Sequence, residues 1–102
     1  MYTIEYLPIA KSDMVDIAKY IGVKLENPEA AERLAEKMIE AAEKLTDMPY
    51  KCPVYIPVKP LRHEYRKLIV QNYIMFYWVD EDKKLITIAR VVYSGRDYEN
   101  LL

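Results

Sequence analysis

Seven consecutive apolar or aromatic residues occupy positions 73–79, which read Tyr-Ile-Met-Phe-Tyr-Trp-Val. A strand without a polar face is covered on both sides, so this stretch predicts a strand at the centre of a sheet. Residues 80–84 are all charged and predict a solvent-exposed turn, after which residues 85–93 predict a strand that returns antiparallel. The single charge in this second strand, Arg90, is costly to bury alone. We therefore expect Arg90 either to be paired within the fold or to point at a negative charge on a partner.

The N-terminal residues 2–7 alternate between apolar and polar side chains, which predicts a half-buried strand. Pro8 ends this strand and suits the first turn of a helix. Apolar residues recur at helical spacing through residues 9–21, and Gly22 is placed to cap the C-terminus of that helix. The apolar stripe of this first helix consists of Ala10, Met14, Ile17, Ala18 and Ile21.

A second helix is predicted to begin at the sequence Asn27-Pro28-Glu29. Asparagine accepts hydrogen bonds from free N–H groups, proline fits the first helical position, and the acid suits the positive end of the helix dipole. The helix is expected to run to about Asp47 and to stop near Pro49. Its apolar stripe predicts an antiparallel hairpin with the first helix, and consists of Ala31, Leu34, Ala35, Met38, Ala42 and Leu45.

Residues 48–60 contain four of the six prolines and predict an extended connector that lies along the surface or forms a short edge strand. The three strands and turns over residues 65–98 follow. The order strand, helix, helix, strands predicts the α+β class, with one domain spanning residues 1–102. In this fold an N-terminal strand and a helical hairpin accompany a three- to four-stranded, mainly antiparallel sheet.

Composition excludes several classes of function. The only cysteine, Cys52, cannot form an internal disulfide, which fits a reducing cytoplasm. No apolar run approaches the roughly 18 residues of a membrane helix, and the N-terminus does not resemble a signal peptide. His63 and Cys52 are not at metal-ligand spacing, and Gly22 and Gly95 lie too far apart to form a phosphate loop. We therefore expect no metal, no cofactor and no membrane contact.

The charge is divided unevenly between the two halves of the chain. Residues 1–49 carry six Lys/Arg against ten Asp/Glu, a balance of −4, and residues 50–102 carry nine against six, a balance of +3. The half that holds the predicted sheet is thus the place to look for an anionic partner. Its interleaved basic and aromatic side chains suit RNA binding, and suit equally a surface that only covers the core. These side chains are Lys59, Arg62, His63, Tyr65, Arg66, Lys67, Tyr73, Arg90, Tyr93, Arg96 and Tyr98.

Three stretches of the sequence carry a resemblance to a known family. They are DIAKYIGVKLENPEAAERLAEKMIEAAEKLTDMP (residues 16–49), YRKLIVQNYIMFYWVDED (residues 65–82) and ITIARVVYSGRDY (residues 86–98). The first is similar to the helical hairpin of ParE-like plasmid stabilisation proteins. The second and third are similar to the strands, acidic turn and terminal Arg-Asp of the same group. In this order they resemble, over nearly the whole chain, the RelE/ParE superfamily of toxins from bacterial type II toxin–antitoxin systems.

The resemblance implies a cytoplasmic toxin that inhibits growth and is neutralised by a cognate antitoxin, whose C-terminal segment wraps the toxin surface. The ParE-like branch poisons DNA gyrase without being a nuclease, and this is the interpretation we favour. It implies that the residues contacting the target or the antitoxin are Arg66, Tyr73, Arg90 and Arg96. A non-toxic relic that only pairs with a partner is a further alternative.

The other branch of the superfamily implies a different activity, ribosome-dependent cleavage of mRNA by an endoribonuclease. The nuclease branch often has an arginine directly after the tyrosine of the central strand, where this chain has Ile74. It also has a basic residue just past the last strand, where this chain has Tyr93 and Ser94. These departures favour the gyrase-type interpretation. In the nuclease alternative, phosphate would be held by Arg66, Lys67, Arg90 and Arg96, and protons would be transferred by Tyr93, Tyr98 or His63.

Overall fold

The computed structural model describes residues 1–102, and its main elements in chain order are β1 (Thr3–Tyr6), α1 (Pro8–Lys19), α2 (Pro28–Lys44), β2 (Arg66–Val70), β3 (Tyr73–Asp80) and β4 (Leu85–Tyr93). The four strands form one sheet in the order β1-β4-β3-β2. Strand β1 runs parallel to β4, and the other neighbours are antiparallel. The predicted α+β fold is confirmed, with a mixed sheet. Neither helix has the length and apolar character required to cross a membrane.

Strand β3 lies between β4 and β2, and its side chains are buried on both faces of the sheet, as the apolar run predicts. Met75 and Tyr77 belong to the core on the helix side, and Ile74 and Phe76 belong to a second core on the opposite side. The buried Tyr77 hydroxyl donates a hydrogen bond of 2.8 Å to the carbonyl of Pro49. A phenol can therefore fill the core because the connector supplies its acceptor.

Helix α1 begins at Pro8 as predicted, but the assignment of Gly22 as its C-terminal cap is wrong. The helix continues as a π-helical turn over Tyr20–Lys24, and the chain reverses at Glu26, whose φ is 53°. A Cβ atom on Gly22 would lie 3.6 Å from the Ala31 Cβ atom. Gly22 thus lies where the two helices of the hairpin approach each other, instead of ending the first one.

Helix α2 begins with the predicted cap, because the Asn27 side chain accepts a hydrogen bond of 3.2 Å from the backbone N–H of Ala30. It ends at Lys44, three residues before the predicted end at Asp47. The Thr46 hydroxyl donates to the carbonyl of Glu43 at 2.8 Å and the Thr46 N–H donates to the same oxygen, which tightens the last turn. The predicted stripe faces the core, and its buried members are Ala31, Leu34, Met38, Ala42 and Leu45.

The connector has no helix and forms a single antiparallel bridge, Val54 with Arg66, at the edge of β2. The N–H of Tyr55 donates to the Tyr65 carbonyl at 2.8 Å, and the N–H of Lys67 donates to the Pro53 carbonyl at 3.0 Å. Of the two predicted arrangements, the connector forms no edge strand beyond this one bridge. The connector is therefore fixed to the sheet although it contains four prolines.

A β-bulge in β4 places Arg90 beside α1. Phe76 pairs with Arg90 and Tyr77 pairs with Ile88, so Ala89 is the extra residue. Arg90 makes a bidentate pair with Asp13, in which Nε lies 2.8 Å from Oδ2 and Nη2 lies 2.9 Å from Oδ1. Both side chains are 13% exposed, and Asp13 also accepts from the backbone N–H of Val91 at 2.9 Å. Arg90 is therefore paired within the fold, which was the first of the two expectations.

Replacing Asp13 by alanine is expected to lower the free energy of unfolding by about 3 kcal/mol. It leaves the Val91 N–H without this acceptor and the Arg90 guanidinium with no counter-ion and one bond, to the Leu101 carbonyl at 3.3 Å. Urea unfolding followed by circular dichroism measures this loss. Asp16→Ala, on the exposed next turn of α1, is the control and should stay within about 0.5 kcal/mol of wild type. Equal effects of the two substitutions would contradict the structural role of Asp13.

The carboxylate of Glu81, in the turn between β3 and β4, joins this turn to the N-terminal segment and to the connector. It accepts hydrogen bonds from the Tyr2 hydroxyl at 2.7 Å, from the Tyr50 hydroxyl, and from the ammonium of Lys84. The bonds from Lys84, Tyr50 and Tyr2 lower the pKa of Glu81 from 4.5 to about 2. The charged turn is exposed, as predicted, and it also holds the N-terminus and the connector.

A carboxyl group with a lowered pKa stabilises the fold above its unfolded pKa, and this contribution is lost as the pH falls toward the folded value. For Glu81 that window runs from pH 4.5 to about 2. We expect Glu81→Gln to lower the melting temperature at pH 7 and the difference from wild type to shrink between pH 4.5 and 2. The control is Asp82→Asn in the same turn, whose side chain makes none of these bonds. A difference that stays constant with pH would refute this assignment.

Candidate functional site

A groove of about 560 Å³ opens between α1 and the ends of β3 and β4, and we call it the tyrosine groove. The residues that line it are Asp13, Asp16, Ile17, Tyr20, Tyr73, Val91, Val92, Tyr93 and Arg96. Three of the residues proposed from the sequence, Tyr73, Tyr93 and Arg96, are therefore brought together. Arg90 lies next to the tyrosine groove, because its ion-pair partner Asp13 is one of the lining residues.

Two tyrosines on neighbouring strands form the sheet side of the tyrosine groove. Tyr73 is the first residue of β3, Tyr93 is the last residue of β4, and the two are paired in the antiparallel register. Their ring centroids are 6.0 Å apart with an interplanar angle of 69°, an edge-to-face contact. Tyr73 is half-buried and Tyr93 is exposed, so the pair presents a partly open aromatic surface to the groove.

Gly95 determines where the Tyr93 ring lies. A Cβ atom on Gly95 would come within 2.5 Å of Cε2 of Tyr93, so the ring occupies the space that any larger residue would fill. Two backbone hydrogen bonds hold the turn that contains Gly95. The N–H of Arg96 donates to the Tyr93 carbonyl at 3.0 Å, and the N–H of Ser94 donates to the Asn72 carbonyl at 2.8 Å. This turn directs the exposed Arg96 toward the groove.

The phenols and charged side chains of the tyrosine groove decide which groups it can bind. Burial raises the pKa of Tyr73, and the nearby phenols of Tyr20 and Tyr93 raise it further. Tyr73 is thus a protonated hydrogen-bond donor at neutral pH. The Asp13 charge is compensated by Arg90, so the groove offers two unpaired charges of opposite sign, Asp16 and Arg96, beside the phenols. Such a surface suits a partner that presents polar hydrogen-bonding groups of both kinds.

Arg66 and His63 are used elsewhere in the fold. The Arg66 guanidinium donates to the carbonyls of Tyr50 at 3.0 Å and Cys52 at 2.7 Å, which fastens the connector to β2. His63 stacks on Trp78 with ring centroids 3.7 Å apart. These two residues therefore lie away from the tyrosine groove.

Lys67 and Tyr98 lie on the sheet face opposite the helices. Tyr98 packs on Phe76 with ring centroids 5.1 Å apart, and the Lys67 ammonium lies 6.0 Å from the centre of the Tyr98 ring. The seven residues named for the nuclease alternative thus do not converge on one site. No group of three or more His, Cys, Asp or Glu side chains is arranged to hold a metal ion.

The helical side of the tyrosine groove was not among the residues predicted from the sequence. Asp13, Asp16, Ile17 and Tyr20 follow the spacing i, i+3, i+4, i+7 and therefore share one face of α1 and the π-helical turn after it. Ile17 belongs to the predicted apolar stripe, whereas Asp13, Asp16 and Tyr20 were not predicted to line a site. A tyrosine at the end of such a stripe was the signal that could have identified the groove.

A second groove, of about 350 Å³, follows the free edge of β1, and we call it the edge groove. The residues that line it are Ile4, Tyr6, Lys11, Met14, Ile39 and Glu43. The N–H of Thr3 donates to the carbonyl of Lys84, just before β4, and the N–H of Leu7 donates to the carbonyl of Ile88 in β4. The alternation of a strand therefore turns the backbone groups of Ile4 and Tyr6 away from the sheet. The edge groove combines unpaired backbone groups with an apolar floor.

The comparisons with known proteins agree with this architecture. The family model described as the ParE toxin of type II toxin–antitoxin systems, parDE, matches residues 4–98. A structure of the chromosomal ParDE system from P. aeruginosa is similar with a TM-score of 0.71 and 19% identity, covering 91% of this chain and 96% of that one. No curated protein sequence matches the chain.

Two further solved structures share the fold. An archaeal RelE–RelB complex from Pyrococcus horikoshii has a TM-score of 0.62 and 17% identity, covering 94% of this chain and 98% of that one. The RelBE2 toxin–antitoxin complex from Mycobacterium tuberculosis has a TM-score of 0.58 and 21% identity, covering 90% and 96%. At these identities the structural likeness establishes the fold, and the family model establishes the family.

Replacing Gly95 by alanine is expected to displace the Tyr93 ring, because the added methyl group takes its place. NMR spectra should show shifted ring resonances of Tyr93 and of its neighbour Tyr73, with little change in the melting temperature, since Tyr93 is exposed. Gly22→Ala is the matched control, because its Cβ meets only ordinary contacts at 3.6 Å and beyond. Unchanged tyrosine resonances in Gly95→Ala would show that the close approach does not exist in solution.

Proposed function

The chain belongs to the ParE toxin family of type II toxin–antitoxin systems, and on this premise we propose that it inhibits bacterial growth by binding DNA gyrase in the cytoplasm. A cognate antitoxin neutralises it. The observation that carries this proposal is the match of the ParE toxin model over residues 4–98. The gyrase target follows the ParE-like branch that the sequence resembles.

The state of the basic side chains supports inhibition by binding over cleavage of RNA. A ribonuclease needs unpaired cations around one phosphate, together with a base and an acid. Arg66 is held by two carbonyl groups, and Arg90 is held by Asp13. Lys67 lies beside Tyr98 on one face of the sheet, whereas Arg96 lines the groove beside α1. The four cations of the nuclease alternative are therefore either occupied or apart.

The tyrosine groove is the surface that we assign to the target. Arg96 is exposed and unpaired, and Tyr73 and Tyr93 add aromatic area and hydrogen-bond donors beside it. Arginine and tyrosine are the residues that most often dominate the energetics of protein interfaces. In this proposal Arg90 positions the groove through Asp13 and makes no direct contact with the target, and Arg66 positions the connector.

The edge groove is the surface that we assign to the antitoxin. An extended peptide can add to a free strand edge through its backbone while its side chains enter an adjacent apolar groove. Strand β1 offers such an edge, and Ile4, Tyr6, Met14 and Ile39 offer apolar lining. The solved relatives include complexes of RelE with RelB, which supports a protein partner of this kind.

Expression of the chain without its antitoxin is expected to stop thymidine incorporation before amino-acid incorporation, because gyrase supports DNA synthesis. Arg96→Ala and Tyr93→Ala should each raise the protein level required for growth arrest at least about tenfold, as loss of an interface anchor does. Arg33→Ala on the exposed face of α2 is the matched control and should remain toxic. Urea unfolding of each variant separates lost contact from lost folding.

Other outcomes of this experiment are equally informative. Earlier loss of amino-acid incorporation would replace the gyrase interpretation with the ribosome-dependent ribonuclease. Growth that continues while the wild-type protein accumulates in folded form would leave only a partner-binding relic. Full toxicity of both groove variants would move the target surface away from the tyrosine groove.

A further inference from the structure

The hydroxyl of Tyr55 is the only buried side-chain polar atom in the molecule that lacks a hydrogen-bond partner. Tyr55 is 8% exposed, and its ring makes edge-to-face contacts with Phe76 and Tyr98 at centroid distances of 5.3 and 5.9 Å. A buried polar group without a partner is destabilising, and a phenylalanine would fill the same space without this penalty. The hydroxyl therefore points to a further contact of the Tyr55 side chain.

A cavity of about 50 Å³ lies between the connector and the C-terminal segment of the chain, residues 97–102. The residues that line it are Tyr55, Pro57, Val58, Lys59, Leu61, Glu99 and Asn100. Glu99 is exposed, so its side chain can change rotamer without disturbing the packed core. The cavity is larger than a single water molecule requires, and it can therefore admit the carboxylate of Glu99.

Among the polar side chains that line the cavity, Glu99 is the strongest acceptor for the Tyr55 hydroxyl. A carboxylate only accepts hydrogen bonds, the ammonium of Lys59 only donates them, and the neutral amide of Asn100 forms weaker ones. Burial raises the pKa of Tyr55, and the nearby charge of Glu99 raises it further. Tyr55 therefore remains a protonated donor at neutral pH.

The C-terminal segment is also attached to the lining of the tyrosine groove. Nη1 of Arg90 donates to the Leu101 carbonyl at 3.3 Å, while Nε and Nη2 bind Asp13, which lines the groove. Arg96 directly precedes the segment in the chain, and the Tyr98 ring is packed against the second core. The position of the C-terminal segment therefore affects both Asp13 and Arg96.

We propose that the Tyr55 hydroxyl donates a hydrogen bond to the Glu99 carboxylate, and that this bond fastens the C-terminal segment to the connector and positions Arg96 in the tyrosine groove. Tyr55 and Glu99 are thus positioning residues of the target surface and do not contact the target themselves. This inference rests on the proposed function and deepens it by identifying what holds the groove in its binding geometry.

Two substitutions remove the hydrogen bond and leave the packed groups in place. Tyr55→Phe deletes only the hydroxyl, and Glu99→Ala truncates an exposed side chain. The Leu101 N–H donates to the Tyr98 carbonyl at 3.0 Å, so its hydrogen exchange reports how firmly the C-terminal segment is held. NMR should show this exchange accelerated at least about threefold in each variant. The double variant should exchange no faster than the single variants, because both substitutions remove the same bond.

Titration of growth arrest tests the effect on the tyrosine groove. Tyr55→Phe and Glu99→Ala should each raise the protein level required for arrest about threefold, because Arg96 is then held less firmly. Glu99→Gln keeps a neutral acceptor and should restore part of the loss. Lys59→Ala is the matched control and should behave as wild type, because Lys59 lines the same cavity but cannot accept the hydroxyl proton. Urea unfolding confirms that each variant is folded.

The possible contrary outcomes are distinguishable. Unchanged exchange in Tyr55→Phe and Glu99→Ala would show that the hydrogen bond does not form, and would leave the proposed function intact. Additive acceleration in the double variant would overturn the pairing, and so would an effect of Lys59→Ala equal to that of Tyr55→Phe. Faster exchange with wild-type toxicity would refute the positioning of Arg96. A wild-type chain that never arrests growth refutes the proposed function, whereas hydrogen exchange still decides whether the bond exists.

Discussion

Burial of β3 and β4 on both faces is the constraint that arranges the rest of the molecule. The hairpin of α1 and α2 covers one face, and this alone would leave Ile74, Phe76 and Val92 in water. The connector and the C-terminal segment cover the other face through Tyr55, Tyr98, Leu101 and Leu102. Segments without regular secondary structure are therefore as necessary to this small sheet as its helices, since each buried apolar side chain contributes roughly 1.5–3 kcal/mol.

The bulge at Ala89 connects this packing to the candidate site. The extra residue shifts the alternation of β4, so that Ile88 and Val91 both face the helices while Val92 faces the second core. Arg90 is thereby placed next to α1, where the Asp13 carboxylate compensates its charge. This ion pair fixes the distance between helix and sheet. The tyrosine groove is the space that remains beyond this pair. Its shape thus depends on an ion pair of which Asp13 lines the groove and Arg90 does not.

Local patterns in the sequence predict the helices and strands well. The same patterns do not predict which distant segments pair with each other. The apolar run of β3 and the cap at Asn27 act locally, so both could be predicted. Gly22 carried the signal of a helix cap, yet the chain continues through it as a π-helical turn that lies beside Ala31 of the second helix. The parallel pairing of β1 with β4 depends on contacts between residues about 80 positions apart, which no local pattern records.

The candidate site was only partly predictable for the same reason. Arg66 and Lys67 are adjacent basic residues that look equivalent in sequence, but strand alternation sends them to opposite faces. Arg66 lies opposite Tyr77 and Lys67 lies opposite Phe76. The Arg66 guanidinium therefore fastens the connector, and the Lys67 ammonium contacts the Tyr98 ring.

Helix α1 likewise presents neighbouring residues to two different surfaces. Lys11 and Met14 line the edge groove, whereas Asp13 and Asp16 line the tyrosine groove. The two grooves therefore lie on different sides of the same helix, and both surfaces depend on how α1 is packed against the sheet.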